Sequence, residues 1–160
     1  MCSGLSYFIG YHRLWSHRSY NATIPLQVFL LAAGASAVQG SGYWWARSHR
    51  SHHRYTDTDL DPYSGKRGLL YTHIGWMIIK SDKHSGPSDV SDLKKDRLVQ
   101  WQHHHYFPLS LFFGYALPVL VPGLFFDDWW GGVCFSAAFR LALAHQVSRF
   151  VRRLPIESPC

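Results

Sequence analysis

The sequence predicts an all-α integral membrane protein, a transmembrane hairpin joined to cytoplasmic helices that bear histidines. Three observations carry that fold class. Two apolar stretches near the C-terminus each approach the roughly 20 residues a helix needs to cross a bilayer. Charged residues are only 16% of the chain, below the roughly 25% typical of soluble proteins, and apolar residues reach 47%. Histidines number 11, and the clustered ones fall at spacings that helices can bring together. The seven Trp and nine Tyr suit a membrane–water interface, where such rings have one apolar and one wet end.

The hairpin is read from Tyr106 to Phe126 and from Trp129 to Val147, joined by Asp127 and Asp128. Of the 16 Lys and Arg residues, Arg140 alone lies between Tyr106 and Val147. The others flank the hairpin, which places both its ends in the cytoplasm and the two aspartates on the far side. The net charge of +6 is spread among ten carboxylates, so no dense basic stripe forms. That points to a membrane surface and away from nucleic acid. Cys2, Cys134 and Cys160 are too scattered for a disulfide framework or a zinc pattern, and no signal peptide is evident.

A third apolar stretch, Ile24 to Ala46, is not read as a span. Histidines flank it on both sides, and a hydrocarbon core of about 30 Å between them would prevent a shared metal centre. Its Gly, Ala and Ser content, with Gln39 inside, suggests a buried helix and turn lining a pocket. Between Arg47 and His105 the chain reads as cytoplasmic. A turn-rich run, DTDLDPYSGKRG, precedes an amphipathic helix at Leu69 to Lys80. A helix at Ser91 to Trp101 opens on a Ser/Asp cap.

His49, His52 and His53 stand at i, i+3 and i+4, so a helix points all three imidazoles to one side, as a metal site requires. His12 and His17 are five apart; on an α-helix they diverge, so they approach from different angles or one sits at a helix end. Neutral imidazoles suit iron, copper, zinc or nickel, and the absence of a nearby cysteine argues against a zinc-finger site. A lone histidine is more often a surface or core group than a ligand. His73, His84 and His145 are read that way. His103, His104 and His105, consecutive at the start of a span, are read as interfacial polar residues.

The runs GYHRLWSHRSY and WWARSHRSHHRYTDTDLDPY closely resemble the first and second histidine boxes of eukaryotic acyl-CoA Δ9-desaturases, the stearoyl-CoA desaturase family. The resemblance continues through KRGLLYTHIGWMI, SDLKKDRLVQWQ and the spans to about Gln146. It implies an oxygen-dependent enzyme that inserts a cis double bond into a saturated fatty acyl-CoA. The enzyme would use a di-iron centre and electrons from cytochrome b5, in the endoplasmic reticulum membrane with the histidine boxes cytoplasmic. It assigns His12, His17, His49, His52 and His53 as iron ligands. It places Gln39 and Trp45 near the bend of the acyl chain, and Arg47, Lys66 and Arg67 at the CoA head, a role that suits Arg and Lys. Ser48 stands where many relatives carry Asp.

Residues 1–146 thus read as a partial desaturase domain and 147–160 as a divergent basic tail. The family's third box, HxxHH, does not occur in the 160 residues, and GLSYFIGYH resembles the cytoplasmic end of a further span. The expectation is a chain inactive by itself. Two other readings stand beside it: a non-catalytic membrane protein that binds acyl-CoA or pairs with a desaturase, and another histidine-box lipid desaturase or hydroxylase.

Overall fold

A computed structural model describes residues 7–56, 58–61 and 86–151, with the side chains of 148–151 excepted. The expected amphipathic helix at Leu69 to Lys80, and Lys66, Arg67, His73 and His84, lie outside the described residues. The described residues form helices and turns, with no strand among them. In chain order the helices are α1 (Tyr7–Ser16), α2 (Ile24–Ala35), α3 (Gly42–Arg54), α4 (Ser91–Lys95), α5 (Arg97–His104), α6 (Tyr106–Phe126) and α7 (residues 129–151).

The stretch from Ile24 to Ala46 is broken, as a non-spanning segment must be. Helix α2 opens with Pro25 in its first turn, where a missing N–H costs nothing, and ends after 12 residues, about 18 Å of rise. A turn with Val38 at φ 53° and Gly40 at φ 97° reverses the chain, and Ser41 then caps α3 by accepting the Trp44 N–H at 3.2 Å. The expected burial of α2 holds for Leu30, Leu31, Gly34 and Ala35 only. Its first half, with Ile24 and Phe29, is exposed.

The run from Ser91 to Trp101 is two helices rather than one. Asp96 adopts ψ 108°, ends α4, and accepts the N–H groups of Leu98 and Val99 to start α5. The start of α4 has no side-chain cap, Asp96 caps α5 instead, and Asp92 faces arginines.

The core gathers α1, α2, α3, α4 and α5 around Tyr7, Tyr11, Trp15, Leu31, Trp45, Leu93 and Val99. A polar side chain is sealed into it. Gln102, 1% exposed, accepts the Gly42 N–H at 3.1 Å and donates to the Tyr11 hydroxyl at 2.9 Å, tying α5 to α1 and α3.

Helix α6 is long and apolar enough to cross a membrane, and it is the one described helix that is. It turns at Asp127, φ 52°, and Asp128 caps α7 by accepting the Gly131 N–H at 2.8 Å. The two helices run antiparallel and close. A Cβ on Gly132 would lie 3.0 Å from the Val119 carbonyl oxygen, so glycine permits the approach. Pro118 has no N–H for the carbonyl of Gly114, four residues before it. Arg140 on α7 supplies the missing donor at 2.7 Å and gives a second to the Ser36 carbonyl at 3.1 Å, the end of α2. One basic residue in an apolar layer is thereby accounted for: it satisfies backbone carbonyls that no helix can.

Candidate metal centre

The histidines of α1 and α3 meet. His12 and His17 are one turn apart because α1 is wound with i→i+5 hydrogen bonds, and the His17 N–H donates to the His12 carbonyl at 3.0 Å. An ordinary α-helix would splay these two rings; the wider turn brings them edge to face, with centroids 4.5 Å apart and planes at 71°. From α3, His49 and His53 at i, i+4 face the same point. The Nε2 atoms of His17 and His12 are 3.1 Å apart, those of His17 and His49 3.3 Å, and those of His53 and His49 2.9 Å. One nitrogen from each of the four lies within 4.8 Å of all the others.

His52 does not join them. Its Nδ1 lies 2.8 Å from Oδ1 of Asp61, whose side chain is fully buried. A carboxylate only accepts, so Nδ1 carries the proton. Of the three histidines of α3 expected at one point, two converge there, and the third is turned to a carboxylate nine positions along the chain.

The four converging rings are poised as ligands by their surroundings. Burial, then the positive potential of His17, His53 and Arg13, lowers His12 to about 4. His49 is lowered much further, first by burial and then by His12 and His53. Burial comes first also for His17 and His53. All four are neutral near pH 7, the state that offers a lone pair to a metal.

Two supports hold this arrangement. Trp45 stacks on His49 at 4.6 Å and 15°, and its buried Nε1–H has no acceptor among the described residues. On the other side of α3, Arg50 reaches the Trp15 and Ser16 carbonyls that precede His17, the Asp89 carbonyl, and both oxygens of Asp92 at 2.7 and 2.8 Å. Arg18 adds a second guanidinium to Asp92. Burial alone would raise the Asp92 carboxyl, and the two arginines more than reverse it, holding it well below the ordinary carboxylate range. Sequence reading missed Arg50, Asp61 and Asp92. The signal available was an arginine and a carboxylate standing beside histidine boxes, which spacing alone does not distinguish from a wet charged face.

The other expected residues are more scattered. Gln39 sits in the turn before α3 and donates to the Ala144 carbonyl at 3.3 Å. Arg47 is exposed on α3. A cavity of about 510 Å³ lies between α2, α6 and α7, lined by Phe29, Phe113, Val121 and Arg140 among others, and neither Gln39 nor Trp45 lines it. His103 meets Ser41, while His104 and His105 donate to the Gln100 and Trp101 carbonyls, three separate partners with no shared point.

Comparison with known proteins decides the ancestry. The chain is 48% identical over 153 residues to a probable acyl-CoA desaturase of Schizosaccharomyces pombe, matching 95% of this chain and 32% of that protein. It is 43% identical over 152 residues to acyl-CoA desaturase 1 of Saccharomyces cerevisiae, matching 94% of this chain and 30% of that protein. With human stearoyl-CoA desaturase it shares 40% over 141 residues, 86% of this chain and 39% of the relative. The chain is a homologue of the acyl-CoA desaturases. No family model matches it. This desaturase homologue spans about a third of the length of those relatives. Both histidine clusters of the homologue fall inside the matched length of the first of these relatives, which leaves at most a few residues of this chain unmatched.

Proposed function

We propose that the chain is the part of an acyl-CoA Δ9-desaturase that carries its first two histidine boxes, and that it helps hold iron beside a saturated fatty acyl-CoA. The observation that carries this is the convergence of four neutral imidazoles from two sequence-distant helices in a homologue of acyl-CoA desaturases. The donor set fits iron: all nitrogen, all neutral, with no thiolate nearby to favour a structural zinc. His12, His17, His49 and His53 hold the ion, and His52 stands beside them within the di-iron centre. Iron bound there supplies the oxidising power that an unactivated carbon–hydrogen bond demands.

The residues of the chain do the positioning. Trp45 packs against His49 and shields it from water. Arg50 and Asp92 fix α3 against the end of α1, so the two pairs of rings keep their register. Gln39 and Trp45 lie along the acyl chain, with Arg47, Lys66 and Arg67 toward the CoA phosphates. Helices α6 and α7 form a transmembrane hairpin with the histidines on its cytoplasmic side, in the endoplasmic reticulum membrane, where cytochrome b5 delivers electrons. What supports the membrane reading is the apolar exterior: Phe125, Phe126 and Trp130 are each more than three-quarters exposed.

The test is a chimaera. Residues 1–146 replace the matching segment of a complete acyl-CoA desaturase, expressed in cells that require added unsaturated fatty acid. Growth and a Δ9 product are expected, lost on His12→Ala or His53→Ala and kept on His104→Ala. Product formation that survives His12→Ala would sink the reading.

A further inference from the structure

The cavity of about 510 Å³ between α2, α6 and α7 is separate from the histidine cluster and from the acyl-CoA course, since no histidine lines it, nor does Gln39 or Trp45. Its volume falls in the range of small-molecule sites. Phe29, Phe113, Leu117 and Val121 give it apolar walls, into which Ser136 and Arg140 bring polar groups. Phe29, Leu117 and Val121 are exposed, so the cavity opens toward the surroundings of α6, a helix apolar enough to lie in hydrocarbon. Both α6 and α7 are wound with i→i+5 turns beside it, at Phe112–Ala116 and Gly132–Phe139, an irregularity that clusters at functional sites.

Arg140 is the charged residue of this lining. Its Nε donates to the Ser136 carbonyl at 2.8 Å, Nη1 to that of Ser36 at 3.1 Å and Nη2 to that of Gly114 at 2.7 Å. A guanidinium has about five N–H donors, so the carbonyls do not exhaust it. Nor do neutral carbonyls cancel its charge, and among the described residues no carboxylate pairs with it. The Gly114 carbonyl lies about 12 Å of helical rise beyond Tyr106, within the apolar run. A cation at that depth is costly until an anion meets it. A phospholipid keeps its headgroup at the bilayer surface and brings two chains. A fatty acid brings one chain and a small anionic head, a carboxylate that the guanidinium fork matches.

We propose that this cavity binds a long-chain fatty acid, with its carboxylate on Arg140 and its chain along Phe29, Leu117 and Val121.

The experiment measures binding of radiolabelled palmitate to the whole 160-residue chain in phosphatidylcholine nanodiscs, at alkaline pH so that the acid is ionised, with far-UV circular dichroism as the check on folding. Saturable binding is expected, with methyl palmitate competing at least about tenfold more weakly, because it lacks the charge that strengthens a hydrogen bond. Arg140→Gln keeps a donor for the carbonyls but no charge, and is expected to erase the preference for the acid. Val121→Trp fills the cavity and is expected to abolish binding of acid and ester alike, whereas Gln39→Ala leaves it unchanged. If Arg140→Gln does not fold, the comparison of acid and ester on the parent chain decides. Equal affinity for acid and ester, or undiminished binding by folded Val121→Trp, overturns the proposal. So does a loss in Gln39→Ala equal to that in Val121→Trp, which would put the chain on the acyl-CoA course. Phosphatidic acid displacing palmitate more readily than palmitate itself overturns it in favour of a phospholipid, and a folded parent chain that binds no palmitate overturns it outright. Each of these outcomes leaves the metal-site reading intact.

Discussion

Removing the Asp92 carboxylate tests whether the metal centre depends on a clamp outside it. Asp92 accepts two bonds from Arg50 and is also gripped by Arg18. The Arg50 side chain is 12% exposed and that of Arg18 is 55% exposed, so the two contacts differ in worth. The Arg18 pair is wet and contributes at most about 1 kcal/mol. Breaking a fully buried pair costs about 3–5 kcal/mol because a charge is stranded. Arg50 is not stranded in Asp92→Ala, since the Trp15, Ser16 and Asp89 carbonyls still accept from it. The expected loss is therefore smaller, about 2–3 kcal/mol, which for a chain of this size lowers the melting temperature by roughly 5–10 °C. Arg50 lies between His49 and His53 on α3 and bonds to the backbone just before His17, so Co²⁺ affinity is expected to fall about tenfold as well. The pH dependence has a definite sign. The folded Asp92 carboxyl lies below its unfolded value near 3.9, so its contribution is complete above that pH and fades only as the pH falls further. The assays are thermal unfolding by circular dichroism in detergent and Co²⁺ titration. Asp92→Ala melting with the parent, or Arg18→Ala costing as much as Asp92→Ala, would refute the reasoning.

Other outcomes follow from the same geometry. Arg140→Leu leaves the Gly114 and Ser36 carbonyls without their donor in an apolar layer, a loss of about 2–4 kcal/mol measurable by unfolding in detergent, and Arg140→Lys recovers part of it. Gln102→Leu strands the Gly42 N–H and removes the donor to the Tyr11 hydroxyl, costing about 2–3 kcal/mol by the same measurement. In metal-free chain, stability is expected to fall as the pH drops from about 6.5 toward 4, because the unfolded histidines take up protons before the folded ones do. His12, lowered to about 4, contributes about 1–2 kcal/mol of this once the wet half of its ring is discounted, and the decline is absent in His12→Ala to that extent.

Much of the fold was legible in one dimension. The apolar run from Tyr106 to Phe126 makes α6 whatever surrounds it, because a backbone in hydrocarbon must satisfy its own hydrogen bonds. The i, i+4 spacing of His49 and His53 put two imidazoles on one face of α3 by helical geometry alone, and Pro25, Ser41 and the Gly40 turn set where α2 and α3 begin. The residues of the two boxes, in their order and spacing, identified the desaturase relatives before any coordinates did.

Tertiary structure decided what spacing could not. Whether α1 winds with four or five residues to its hydrogen-bonded turn depends on packing Tyr7, Tyr11 and Trp15 against α2 and α3, and that winding is what sets His12 edge to face with His17. Whether His52 faces its neighbours or turns away depends on where the chain returns Asp61, nine residues on. Asp92 reads as part of a helix cap until α4 docks beside α3 and finds Arg50. A side chain with two possible partners goes to the one that the fold buries beside it, since an unpaired polar group costs more there than in water.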